Sequence, residues 1–186
     1  MTSSSNSAVR SYGMIAGSSS FDDDFVVLYK TQYQRIYRYL DRMSGDPDAA
    51  EDLAQETFVR LYRRGSMPDE PGAWLVSVGM NLLRNMASST RRRRELLERN
   101  SREEDDSSHG PTADAGTLQC EIHVRVRRTI DGMSYRDKSL LLLRAEGYSY
   151  KEIAGALEMN VASVGTLLAR AQRSFKVKYE ESGNAR

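Results

Sequence analysis

Between Tyr148 and Arg170 the apolar residues fall where two short helices around a tight turn need them. Ile153, Ala154, Leu157, Met159, Val164 and Leu167 would pack inward, with the turn at Glu158 to Asn160. Ser149 can cap the first helix, with Glu152 three residues on completing a capping box. Val164, Leu167 and Leu168 give the second helix an inward stripe, leaving its other side free to enter a DNA major groove. The pattern is that of a helix-turn-helix, and a purely structural helical hairpin would show the same spacing.

Other features bound what surrounds this motif. The chain has 186 residues, 39% hydrophobic and 28% charged, enough for one ordinary core or two small ones. A net charge of +1 means that any nucleic-acid surface must be local. The single cysteine, Cys120, excludes an internal disulfide and a multi-cysteine zinc site, and agrees with a reducing cytoplasm. Cys120 and His123 stand three apart but lack a carboxylate or second pair, so helix surface is the better reading and no metal or cofactor is expected. No Ser, His and Asp arrangement and no glycine-rich phosphate loop with its lysine is present, so no catalytic residue is assigned and no enzyme is expected. No apolar run is long enough for a membrane span, and Met1 to Ser20, rich in Ser and Gly, reads as a disordered tail.

Asn100 to Thr117 is almost devoid of apolar residues, clusters turn formers and carries the acidic run Glu103 to Asp106, which marks a flexible acidic linker. Both flanks show helical periodicity without strand alternation. The expected architecture is therefore all-α, two small helical domains at 21–99 and 118–181, with a tail at 182–186.

In the first domain Phe25, Leu28, Tyr29, Tyr33, Ile36, Tyr37, Leu40 and Met43 trace a long amphipathic helix ending near Gly45. Asp46-Pro47 then opens a second helix, whose buried face is Ala50, Leu53, Ala54, Thr57, Phe58 and Leu61. Its other face carries Asp48, Glu51, Asp52, Gln55 and Glu56, an acidic stripe that suits solvent or a basic partner. Trp74, Leu75, Val78, Leu82 and Met86 would line the inward side of a third helix, with Trp74 read as core rather than as a stacking platform. That helix runs into Arg91 to Arg94, four arginines that can cover helix carbonyls or phosphates.

Asp48-Ala-Ala-Glu-Asp-Leu-Ala-Gln-Glu-Thr-Phe-Val-Arg-Leu-Tyr62, Pro71-Gly-Ala-Trp-Leu-Val-Ser-Val-Gly-Met-Asn-Leu-Leu-Arg-Asn85 and the helix-turn-helix, in that order, resemble a bacterial extracytoplasmic-function sigma factor of the sigma-70 family. The resemblance covers about residues 21 to 180 and implies a cytoplasmic promoter-specificity subunit of RNA polymerase built from sigma domains 2 and 4. It implies that Asp48, Asp52, Gln55 and Glu56 meet the β′ clamp helices of core polymerase. It further implies that Asn81 meets the −10 element beside a base pocket walled by Gly65 to Glu70, with Arg84, Arg91, Arg92, Arg93 and Arg94 on phosphates. The second domain would rest on the β flap and grip the −35 element through Ser163, Thr166, Leu168, Ala169, Arg170, Gln172 and Arg173, with Leu168, Ala169 and Gln172 near base edges. Gly165-Thr-Leu-Leu168 departs from the family pattern, which has a basic residue there, and Glu158 stands where many such turns have glycine. An anti-sigma factor is a further implied partner. The alternative is a free-standing helix-turn-helix repressor or activator, which accounts for only half of the chain.

Overall fold

The structure, a computed structural model, describes residues 20–100 and 118–184, with side chains for 20–93 and 120–183. The expected disordered tail and acidic linker lie outside the described residues except for Ser20 and Asn100, and Arg94 lies outside the described side chains. The described chain is all-α, in the order α1 (Phe21–Ser44), α2 (Pro47–Arg64), α3 (Pro71–Asn100), α4 (Leu118–Asp131), α5 (Tyr135–Ala145), α6 (Tyr150–Ala156) and α7 (Val161–Asn184).

The first three helices begin and end where local chemistry directs. Gly45 terminates α1 in the left-handed conformation at φ 80°, its N–H donating to the Asp41 carbonyl at 2.8 Å. Asp46 then caps α2 by accepting from the Ala49 N–H at 3.1 Å, with Pro47 at the first helical position. Ala50, Leu53, Ala54, Thr57, Phe58 and Leu61 are all buried, as their spacing predicts, and Thr57 satisfies its hydroxyl on the Leu53 carbonyl at 2.7 Å.

Two expectations need correction. On α1 the fully buried aromatic is Tyr39, outside the predicted stripe, while Tyr29 is exposed. Tyr39 is buried because α5 covers it, and its hydroxyl donates to Ser139 at 3.3 Å. On α3 the buried positions are Ala73, Leu75, Val76, Met80 and Leu83, whereas Trp74, Val78, Leu82 and Met86 are only half-buried. The cause is burial on two sides: Gly79 faces Leu40 of α1 and Thr57 of α2, while Ala73 faces Gly155 of α6. A helix packed on both flanks has no single apolar stripe.

The second unit packs α4 and α5 against α7, with α6 between α5 and α7 and against α3. One continuous cluster of buried residues runs from Ile36, Leu40 and Phe58 through Leu75 and Val76 to Leu140, Leu143, Ile153, Val164 and Leu168. Arg125 of α4 clamps the far end of α7, its guanidinium 3.9 Å over the Tyr179 ring and its Nε donating to the Tyr179 carbonyl at 3.2 Å.

Candidate nucleic-acid interface

The helix-turn-helix is held by caps at both ends of its turn. Ser149 accepts from the Glu152 N–H at 3.2 Å while the Glu152 carboxylate accepts from the Ser149 N–H at 2.8 Å, so both halves of the capping box form. Glu158 takes φ 52° in the turn, and the Asn160 side chain accepts from the Ala162 N–H at 2.9 Å to start α7. Ile153, Ala154, Val164, Leu168 and Ala171 are buried between the helices.

Outward on α7 stand Ser163, Thr166, Arg170 and Arg173, all exposed and spaced three or four apart, so they form one stripe. Ala169 is half-buried at the edge of that stripe. Gln172 is exposed but roughly 140° from the centre of the stripe by helical geometry, and the fold does not bring it to the same face. Leu168 is a correction: it is 4% exposed and belongs to the core, so it cannot reach a base edge. Its periodicity with Val164 and Ala171 puts it inward, where this chain carries an apolar side chain. Arg170 lies 3.5 Å from the half-buried Asp137, and its own side chain is 62% exposed, which leaves the guanidinium able to turn to a phosphate.

On α3, Asn81 and Arg84 are exposed, and Ser77, Asn81 and Arg84 share one side of the helix. The Arg84 guanidinium lies 6.0 Å from the Tyr135 ring centre. Arg91, Arg92 and Arg93 are exposed at the far end of the described side chains, with Arg92 Nε donating to the Ser88 carbonyl at 3.2 Å. Trp74 is half-buried with Arg64 5.9 Å from its ring centre, on the side of the loop at Gly65 to Glu70.

The acidic stripe on α2 is also in place. Asp48, Asp52 and Gln55 are exposed and Glu56 is half-buried, its carboxylate 2.9 Å from Arg60 Nε. Sequence reasoning missed what adjoins it: Phe25, Tyr29, Gln55, Phe58, Val59, Tyr62 and Arg63 line a shallow groove between α1 and α2. Tyr62 is 56% exposed, and the Phe25 and Tyr62 rings meet edge to face at 5.2 Å. The available signal was an apolar Val59 and Tyr62 lying off the buried face of α2.

Elsewhere, Cys120 is half-buried and His123 exposed. None of the described helices is long and apolar enough to cross a membrane.

Comparison with known proteins matches these elements in order. Residues 28–93 match the family model for sigma-70 region 2, and residues 123–173 match that for sigma-70 region 4. The ECF RNA polymerase sigma factor BldN of Streptomyces coelicolor is 28% identical over 158 residues, covering 82% of this chain and 59% of the relative. SigX of Bacillus subtilis, also an ECF RNA polymerase sigma factor, is 25% identical, covering 86% of this chain and 85% of the relative. The chain thus spans about three fifths of BldN and most of SigX. Among solved structures, the sigma factor RpoE of Bartonella quintana in complex with the anti-sigma factor NepR superposes with a TM-score of 0.59 at 20% identity, covering 84% of this chain and 97% of that one. CnrH in complex with the cytosolic domain of CnrY gives a TM-score of 0.59 at 19% identity, covering 86% and 90%. These two likenesses establish the fold.

Proposed function

The chain belongs to the sigma-70 family of RNA polymerase sigma factors, in its extracytoplasmic-function group, and from that premise we propose that it binds core RNA polymerase and directs promoter-specific initiation in the cytoplasm. It acts as a binding subunit, without catalysis or cofactor. Domain 2, at 21–99, holds the polymerase and the −10 element; domain 4, at 118–181, holds the −35 element.

The observation that carries this reading is the exposed stripe of Ser163, Thr166, Arg170 and Arg173 on a helix whose opposite side is locked into the core. Hydroxyls can reach phosphates or base edges, and the arginines neutralise backbone charge, so affinity should fall steeply with salt. With Leu168 inward, few bases are read directly by this helix. On α2, Asp48, Asp52, Gln55 and Glu56 offer carboxylates and an amide to the β′ clamp helices of core polymerase. On α3, the Asn81 amide can hydrogen-bond a base edge while Arg84 and the arginines from Arg91 to Arg94 meet phosphates. Capturing an unstacked base returns part of the few kcal/mol that unpairing costs, so binding energy alone opens the DNA. The β flap and an anti-sigma factor complete the set of partners.

The test combines purified protein, core polymerase and promoter DNA. The chain should co-elute with the core enzyme and confer specific initiation, and Asn81→Ala should spare both association and closed-promoter binding. The variant should reduce permanganate reactivity across the −10 element and lose about 1–3 kcal/mol of discrimination at one position. A chain that binds duplex operator DNA but never the core enzyme is a repressor or activator instead. Identical permanganate footprints for wild type and variant would make Asn81 a surface amide.

A further inference from the structure

We infer that the opening turns of α7 select a −35 element by its thymine methyl groups, with Thr166 and Ala162 as the residues that read them. The inference deepens the reading of α7 given under Proposed function and rests on it.

A recognition helix presents its N-terminal turns to base edges, while basic residues farther on meet phosphates. In those turns of α7 the exposed residues on the outward stripe are Ala162, Ser163 and Thr166. Ala162 and Ser163 lie within about 60° of Thr166 around the helix, so all three face the groove together. Longer readers are turned elsewhere. The nearest amide, Asn160, accepts from the Ala162 N–H at 2.9 Å, which aims it at the helix backbone. The Gln172 amide is off the stripe, and Val161, 47% exposed, stands roughly 140° around the helix from Thr166. On the flank toward α6, a Cβ built on Gly165 would meet the Tyr150 ring at 3.5 Å, so that side is already closed by an aromatic. Arg170 and Arg173 are the first charged residues on the stripe, four and seven residues past Thr166 and thus about 6 and 10.5 Å farther along the axis.

What this face offers the bases is the methyl groups of Ala162 and Thr166 and the hydroxyls of Ser163 and Thr166. A hydroxyl both donates and accepts, so it can satisfy any base edge and separates none of them. The methyl groups do discriminate. Of the four bases only thymine shows an apolar group in the major groove, its C5 methyl, and alanine and threonine methyls are suited to meet it. The short side chains also let the helix come close enough for carbon-to-carbon contact at about 4 Å. An A·T pair is therefore favoured opposite Thr166 and opposite Ala162, and the two arginines hold the helix in register through phosphates without naming a base.

The test uses holoenzyme made from the full chain and core polymerase. Promoters are selected from linear duplexes with a randomised upstream region, and each thymine of the selected −35 element is then replaced by deoxyuridine, which pairs identically and lacks only the methyl. Affinity is read as the ratio between thymine and uracil templates on one protein, so a general loss of folding or affinity cancels. The wild type should lose about 3- to 5-fold at each of two positions, the effect of one buried methyl group. Thr166→Ser, which keeps the hydroxyl, should abolish the ratio at one of them, whereas Thr166→Val, which keeps a methyl, should retain it. Ala162→Gly should abolish the ratio at the other position, and Val161→Ala should change neither. Uracil tolerated at every −35 position by a wild type that still initiates specifically overturns the inference and leaves the functional reading standing. So does a ratio that survives in both Thr166→Ser and Ala162→Gly. A chain that neither joins core polymerase nor selects any sequence sinks the functional reading itself, and this inference falls with it.

Discussion

Glu158 holds the turn between α6 and α7 at φ 52°, a left-handed conformation that costs a residue with a Cβ on the order of 1 kcal/mol. Glycine takes the same conformation without the steric clash. Glu158→Gly should therefore raise the stability of the chain by about 0.5–1 kcal/mol, while Glu158→Ala, which keeps the clash, should not. Urea unfolding of the three proteins decides between strain and charge: equal gains in both variants would mean that the carboxylate, not the backbone, is the unfavourable element. Leu168 shows the same dominance of backbone geometry over residue type. Its position on α7, in line with Val164 and Ala171, points it inward.

α2 separates stability from binding on one helix. Phe58 is 2% exposed and packs on Phe25, Tyr29 and Tyr33, with the Tyr29 ring centre at 5.0 Å. Asp52 projects to solvent roughly 120° around the helix from Phe58, and Gln55 is exposed at the edge of the groove beside it. Phe58→Ala should destabilise the chain by about 3–5 kcal/mol through a cavity. Asp52→Arg combined with Gln55→Ala should leave the melting temperature within about 2 °C of wild type and weaken competition for core polymerase. Undiminished competition by the double variant would remove the acidic stripe from the interface. Both faces of α2 were legible in its sequence because only one side of it is covered. α3 was not legible in this way, since α1 and α2 bury one flank and α6 the other.

The contact between the two units also sets a pH response. Burial pulls the Asp131 carboxyl upward, but its hydrogen bond from Lys138, the Lys138 charge and Arg127 together hold it below the usual carboxylate range. Lys138 Nζ is 2.7 Å from Asp131 and simultaneously reaches the Met43 carbonyl of α1, so this carboxylate steadies a lysine that bridges the units. A carboxyl whose folded pKa is depressed contributes stability that is fully present above its unfolded pKa, about 3.9, and lost as pH falls through the folded value. Melting temperature should decline below about pH 4 in the wild type, and Asp131→Asn should remove part of that decline while lowering stability at neutral pH. Parallel acid limbs for the two proteins would assign the loss to other carboxylates.

Helix starts, helix stops and the inward stripes of α2 and α7 were determined by sequence alone, because caps, prolines and 3.6-residue periodicity act within a few residues of one another. Asp46-Pro47, the Ser149 and Glu152 capping box and the inward placing of Val164 and Leu168 are of this local kind, whereas Leu167 of the same expected stripe is only half-buried. What only the tertiary structure decided lies between residues some hundred positions apart: Tyr39 beneath Ser139, Arg38 and Arg42 on Glu146, Ala73 against Gly155. No periodicity encodes those pairings. They depend on how two separately patterned helical units meet, where charge pairing and close approach at a glycine decide which surfaces are covered.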